Sequence, residues 1–174
     1  MVLCGMFAAL VAIGAFIQIP VPYMDYFTLQ FFFVLLAGLI LGADKGAISV
    51  GCYVLLGLVG VPIFAAGGGI GYIFRPSFGY LVGFIVSAYV TGKVCEKLKA
   101  SYKNYLLACL AGFVVTYAIG IVYKFIILTL CTYTGNAGLI FLSCFPLDMP
   151  GDFVLCLLAA GVGLRMRKSG FYLS

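Results

Sequence analysis

The chain contains no histidine, and only 9% of its 174 residues are charged. Soluble globular domains carry about 25% charged residues, so this scarcity indicates an integral membrane protein. Without histidine, Ser-His-Asp and Cys-His catalytic arrangements are excluded. The seven cysteines form no Cys-x-x-Cys pair and lack metal-ligand spacing, which argues against a zinc site. We therefore expect neither an enzyme nor a bound cofactor.

The chain is instead rich in apolar residues, which make up 65% of the sequence and give a mean hydropathy of +1.24. A membrane-spanning helix takes about 20 residues, so this length predicts six spans in one bundle. We expect a single all-α membrane domain over residues 1–174. Thr28 is predicted to cap the second helix, and residues 42–46 are predicted to form a hairpin before the third. The predicted helices are approximately Val2–Ile19, Thr28–Leu41, Ala47–Val59, Phe78–Val94, Tyr105–Thr132 and Asp152–Leu164.

The net charge of +5 is explained by topology rather than by a nucleic-acid partner. With six spans, both termini lie on one side, and that side carries eight of the ten cations. Positive charge marks the cytoplasmic side of a membrane protein, so we expect both termini in the cytoplasm. The eight residues are Lys45, Lys93, Lys97, Lys99, Lys103, Arg165, Arg167 and Lys168.

A glycine-rich stretch from Gly67 to Tyr80 interrupts the apolar sequence, and we call it the glycine loop. Its glycines permit backbone conformations with positive φ and close approach to a partner surface. Pro76 disfavours a helical conformation at Arg75. We interpret the loop as part of a ligand site at the outer membrane face.

Two cations have no role in orientation: Arg75 in the glycine loop and Lys124 inside the fifth span. An ionisable residue within a span usually faces the bundle interior or a cavity. Lys124 either extends to the outer headgroups or binds a ligand. Asp152 either caps the sixth helix or accepts hydrogen bonds from a ligand. The predicted topology brings all three to the same outer level, beside an apolar wall formed by Tyr53, Tyr72, Tyr80 and Tyr123.

Small residues on the first helix form a strip where a second helix can approach closely. Ala8 and Ala12 are four residues apart, and Gly5 lies a turn earlier. The strip serves either packing inside the bundle or contact with a partner subunit.

Several short motifs are similar to those of the BioY family, the substrate-binding S components of biotin transporters of the energy-coupling factor (ECF) type. They cover most of the first half of the chain and one point near its end. The resemblance implies a non-enzymatic subunit of the bacterial cell membrane that captures biotin from outside. It also implies a transmembrane T component and two ATP-hydrolysing subunits as partners. The motifs are Val21-Pro22, Thr28-Leu29-Gln30, Leu36-Ala37-Gly38 to Leu41-Gly42, Ser49 with Tyr53 and Gly57, Gly60 to Phe64, the glycine loop with Gly79 to Phe84, and Pro150-Gly151-Asp152.

The resemblance also implies roles for individual residues. Asp152 receives the ureido N–H groups, and Ala8 and Ala12 contact the partner. The family pattern has a lysine three residues after the Gly-Asp pair, where this chain has Leu155. Lys124 or Arg75 then takes over the carboxylate, and lipoate is the first alternative ligand. A membrane scaffold subunit without a ligand is the other alternative. The predicted substrate-binding residues are Gly68, Gly69, Tyr72, Arg75, Tyr80, Tyr123, Lys124 and Asp152.

Overall fold

A computed structural model of the chain describes residues 1–19, 27–132 and 148–170. These residues form six helices, which confirms the prediction of an all-helical protein. Two-residue strands β1 (Gln18–Ile19) and β2 (Phe27–Thr28) pair antiparallel between the first two helices, with Gln18 opposite Thr28. A 3-10 helix, Ile70–Phe74, precedes the fourth helix. The helices are α1 (Val2–Phe16), α2 (Gln30–Leu41), α3 (Ala43–Val59), α4 (Phe78–Lys97), α5 (Tyr102–Thr132) and α6 (Asp148–Lys168).

Within the described part of the chain, three helices are long and apolar enough to cross a membrane: Phe78–Lys97, Tyr102–Leu130 and Met149–Lys168. Two more, α1 and α2, are apolar but shorter. Helix α2 is the centre of the bundle, because ten of its twelve residues are buried against α1, α3, α4 and α6. A helix that is apolar on all sides is typical of such a central position.

The start of α3 differs from the prediction. The expected five-residue hairpin is a single residue, Gly42, at φ 83°, and α3 begins at Ala43 rather than Ala47. A carboxylate oxygen of Glu96 in α4 accepts a hydrogen bond from the Ala43 N–H at 2.8 Å. This cap comes from 53 residues away, so the local sequence gave no sign of it.

Two other helix predictions also need correction. Thr28 does not cap α2: it lies in β2, and the residue at the cap position is Leu29. Helix α6 begins at Asp148, four residues before the expected start, and runs to Lys168. Residues 20–26 and 133–147, in the connections that precede the second and sixth predicted helices, lie outside the described residues.

The predicted cytoplasmic cations gather where several helix ends meet. The Arg167 guanidinium at the end of α6 donates a hydrogen bond to the Tyr105 hydroxyl, near the start of α5, at 3.1 Å. Glu96 connects the end of α4 to the start of α3 and lies 3.9 Å from the Lys93 ammonium. These contacts bring the cationic ends of α4 and α6 together with the starts of α3 and α5.

Helices α4 and α5 pack closely because glycines on each helix face side chains or backbone of the other. A Cβ at Gly83 would lie 3.0 Å from the Thr116 carbonyl oxygen, and one at Gly112 would lie 2.6 Å from the Ser87 hydroxyl. Real Cβ atoms rarely approach other atoms so closely, so side chains at these glycines would push the two helices apart. Small residues allow this type of close crossing in membrane bundles. The helix pair forms one side of the cavity described below.

The small-residue strip on α1 does not face outward as a whole. Ala8 is only 7% exposed and packs in the core, and Ala12 is half-buried. Ala8 therefore packs inside the bundle, and contact with a partner subunit stays a prediction. The small residues on the exposed face of α1 are Gly5 and Ala9.

Candidate functional site

A cavity of about 850 Å³, including its open mouth, lies among α2, α4, α5, α6, β2 and the connection between α3 and α4. Small-molecule sites typically have mostly apolar walls with a few polar groups. Most of the cavity wall is aromatic or aliphatic. The apolar and aromatic lining residues are Phe27, Phe31, Ala65, Ala66, Tyr72, Tyr80, Leu81, Phe84 and Tyr117, and the polar ones are Thr28, Gln30, Ser77, Lys124 and Asp152.

Two opposite charges line this cavity, Lys124 from α5 and Asp152 from α6. Both side chains are partly buried. The Tyr117 hydroxyl, about two turns before Lys124 on α5, donates a hydrogen bond to Asp152 Oδ2 at 2.8 Å. Asp152 lies a full turn inside α6 rather than in its first turn. Its contact with Tyr117 and its place in the cavity favour the ligand-facing interpretation over the helix cap.

The glycine loop adopts the conformations expected for it. Gly67 and Gly69 have φ of 110° and 104°, values that side-chain-bearing residues rarely adopt. Gly68 lies against the Val61 carbonyl, where a Cβ would clash. Gly68 and Gly69 do not themselves line the cavity; the loop contributes the rings of Tyr72 and Tyr80 instead.

Side chains from three directions hold the backbone of the α3–α4 connection, residues 60–77. The Gln18 amide donates a hydrogen bond to the Ala65 carbonyl at 2.7 Å, and the Tyr53 hydroxyl donates one to the Ile63 carbonyl at 3.0 Å. The Tyr123 hydroxyl donates a third to the Ile73 carbonyl. The segment that carries Ala65 and Ala66, which line the cavity, is therefore held in place from β1 and α3.

Arg75 and Tyr123 lie beside the cavity but are not part of its lining. Arg75 is exposed and extended, with φ −81° and ψ 140°, as the following proline predicted. Its guanidinium carbon lies 5.4 Å from the centre of the Tyr72 ring, a cation–π arrangement. The Tyr123 ring packs against Gly79. Of the three predicted polar groups, the structure brings two, Lys124 and Asp152, to one cavity.

A polar network that the sequence did not predict lies behind the cavity. Gln30 lines the cavity but is only 4% exposed. Its amide donates a hydrogen bond to the Tyr53 hydroxyl at 2.5 Å, and its oxygen accepts one from the Thr28 hydroxyl at 3.2 Å. Tyr53, predicted as a wall residue, is fully buried behind Gln30. A glutamine at the start of an apolar helix was the signal for this network, because a buried amide needs partners.

The described residues contain no group of three or more His, Cys, Asp or Glu side chains able to hold a metal ion. From the residues described, the cavity offers one cation, one carboxylate and several neutral polar groups. This set can bind a small molecule through charge and hydrogen bonds.

Comparisons with known proteins give a consistent result. The family model described as the BioY family matches residues 1–170. A probable biotin transporter BioY of Lysinibacillus sphaericus is 38% identical over 170 residues, covering 97% of this chain and 86% of that protein. The biotin transporter BioY of Thermotoga maritima is 45% identical over 118 residues, covering 67% of this chain and 69% of that protein.

A solved structure, the crystal structure of the S-component for biotin from an ECF-type ABC transporter, has a similar fold. The TM-score is 0.84, and the match covers 96% of this chain and 89% of the other at 24% identity. At this identity the match is evidence for the fold alone.

Replacing Tyr53 with phenylalanine tests the network behind the cavity. The change leaves the Gln30 amide and the Ile63 carbonyl without their shared partner. An unpaired buried polar group costs about 1 to 3 kcal/mol, so we expect a lower melting temperature of the detergent-purified protein. Tyr89→Phe is the matched control, because Tyr89 is 40% exposed. Equal melting temperatures for the two variants would contradict the network's contribution to stability.

Proposed function

Because the chain belongs to the BioY family, we propose that it is the substrate-binding S subunit of an ECF-type vitamin transporter that captures biotin from the outer face. The observation that carries the proposal is the partly buried pair of Lys124 and Asp152 in one aromatic cavity. Ionisable side chains at membrane depth are costly and mark substrate pathways. The function is capture and transport rather than catalysis.

The polar groups of biotin match the two charges of the cavity. Biotin carries a carboxylate at the end of an aliphatic chain, and a ureido ring with two N–H donors at the other end. The Lys124 ammonium binds the carboxylate, and Asp152 accepts hydrogen bonds from the ureido N–H groups. Charge-assisted hydrogen bonds of this kind are about twice as strong as neutral ones. Apolar residues such as Phe31, Leu81 and Phe84 surround the aliphatic part of the ligand.

The glycine loop closes the site in this proposal. Gly68 lets the loop backbone lie close to the Val61 carbonyl and Gly69 supplies a positive φ, while Tyr72 and Tyr80 supply the wall. Arg75 and Tyr123 hold the loop through the Tyr72 ring and the Ile73 carbonyl, and thereby contribute to binding from beside the cavity.

Lipoate is the alternative ligand. The position of the lysine that follows the Gly-Asp pair in the family pattern is occupied here by Leu155, which is 5% exposed and packs in the core. Lipoate shares an aliphatic carboxylate with biotin but has no N–H donors for Asp152. Asp152 is therefore the residue that favours biotin.

The proposed topology is six membrane spans with both termini in the cytoplasm of a bacterial cell. It is supported by the cations gathered where α4 and α6 end and where α3 and α5 start. This orientation opens the cavity toward the outer face, because Lys124 lies 22 residues beyond the start of α5, or about 33 Å along the helix at 1.5 Å per residue. Energy for transport comes from a T component and two ATP-hydrolysing subunits.

Neutral variants of the two charges test biotin binding. We expect Lys124→Met and Asp152→Asn each to weaken biotin binding by at least about tenfold, or about 1.4 kcal/mol, while the protein still folds. Equilibrium binding to detergent-purified protein measures the effect. Lys168→Met and Asp44→Asn are the matched controls, because both residues are exposed and lie far from the cavity lining.

The result separates this proposal from a ligand-free scaffold. If the chain were a scaffold subunit, the wild-type protein would bind no biotin. The charge variants would then change stability alone. Wild-type binding that prefers lipoate to biotin would support the alternative ligand.

The exposed face of α1 is the proposed contact with the T component, with Gly5 and Ala9 in place of the buried Ala8. Ala12 lies at the edge of this face. We expect Ala9→Leu to reduce biotin uptake and copurification with the T component, because a larger side chain keeps the partner helix away. Biotin binding by the isolated subunit should be unchanged.

Ala118→Leu is the control for this prediction, since Ala118 is an exposed alanine on α5. Normal uptake by the Ala9→Leu variant, or an equal loss in both variants, would contradict the assignment of this face.

A further inference from the structure

Gly120 of α5 lies directly behind the Tyr80 ring. A Cβ at position 120 would lie 2.6 Å from the ring carbons Cδ1 and Cε1 of Tyr80, and 2.9 Å from Cγ. Tyr80 lines the cavity, whereas Gly120 does not. The ring therefore stands between Gly120 and the cavity, and one face of the ring is in contact with the glycine backbone.

The Tyr80 ring is also connected to the charged part of the site. It packs edge-on against the Tyr117 ring, with centroids 5.8 Å apart and planes at 80°. Tyr117 in turn donates its hydroxyl to Asp152 Oδ2. Edge-to-face aromatic pairs have a preferred geometry, so a displaced Tyr80 ring also disturbs the ring that positions the Asp152 carboxylate.

We propose that Gly120 is a specificity-determining positioning residue: the absence of a side chain there sets the position of the Tyr80 ring and thereby the width of the ligand cavity. A methyl group at position 120 pushes the Tyr80 ring away from α5 and into the cavity. The cavity then becomes narrower beside Asp152. This inference rests on the proposed function, because it concerns the same ligand.

The α4–α5 contact offers a control that separates an effect on the width of the cavity from an effect on the stability of the protein. Gly112 lies in the same helix contact, two turns earlier on α5, and a Cβ there would meet the hydroxyls of Thr91 and Ser87. None of these three residues lines the cavity. Alanine at either glycine crowds the helix pair, and overpacking of this kind costs about 1 to 3 kcal/mol. Of these two alanines, only the one at position 120 also presses on a wall of the cavity.

The test is the equilibrium affinity of detergent-purified wild-type, Gly120→Ala and Gly112→Ala proteins for biotin, with the folded fraction measured by size-exclusion chromatography. We expect Gly120→Ala to bind about tenfold or more weakly, a difference of about 1.4 kcal/mol, and Gly112→Ala to bind like the wild type. In a Tyr80→Leu background, which lacks the ring, Gly120→Ala should add less than about a twofold loss, because interacting residues are non-additive.

Unchanged affinity of Gly120→Ala, or an equal loss in Gly112→Ala, would overturn the inference while leaving the proposed function intact. A wild-type protein that binds no biotin would overturn both. Tighter binding of a narrower carboxylate such as lipoate by Gly120→Ala than by the wild type would support the role of cavity width.

Discussion

The close contact of α4 with α5 is the interaction on which the cavity depends. Glycines at positions 79, 83 and 120 let the two helices approach closely where they border the cavity. The hydrophobic effect contributes little to helix association in lipid, so packing of small residues must hold the pair together. The same contact fixes the rings of Tyr80 and Tyr123 on their opposing glycines. The helix pair is thus both a structural unit and the side of the site that carries Tyr117 and Lys124.

The remaining walls come from elements of different character. Helix α2 is almost wholly buried and presents Gln30 and Phe31 to the cavity. The α3–α4 connection is held through backbone carbonyls by the side chains of Gln18, Tyr53 and Tyr123. Each of these hydrogen bonds contributes about 0.5 to 1.5 kcal/mol. The charges of Lys124 and Asp152 then act inside a largely apolar space.

Much of the fold could be predicted from the sequence, because long apolar segments, separated by glycines or prolines, specify helices directly. The glycine loop was also predicted, and its positive φ values follow from residue type.

Other features of the fold and of the site depend on contacts between distant residues. The Glu96 cap moved the start of α3, and burial of Ala8 depends on how α1 rotates against its neighbours. Lys124 was found as a cation without a topological role, and Asp152 as a carboxylate at the predicted start of the sixth helix. Arg75 met the same criterion as Lys124 but lies outside the cavity lining. The Gln30–Tyr53 network could be identified only once the fold was known, because it joins residues from two different helices.

The most direct measurement is a comparison of biotin with biotin methyl ester in equilibrium binding to the wild-type protein and to Lys124→Met. The ester keeps the ureido ring and the apolar chain but lacks the negative charge. If the Lys124 ammonium binds the carboxylate, the wild type will bind the acid about tenfold or more tightly than the ester, and the variant will bind both alike. Equal binding of acid and ester by the wild type, or a preference for the acid that persists in the variant, would contradict this account.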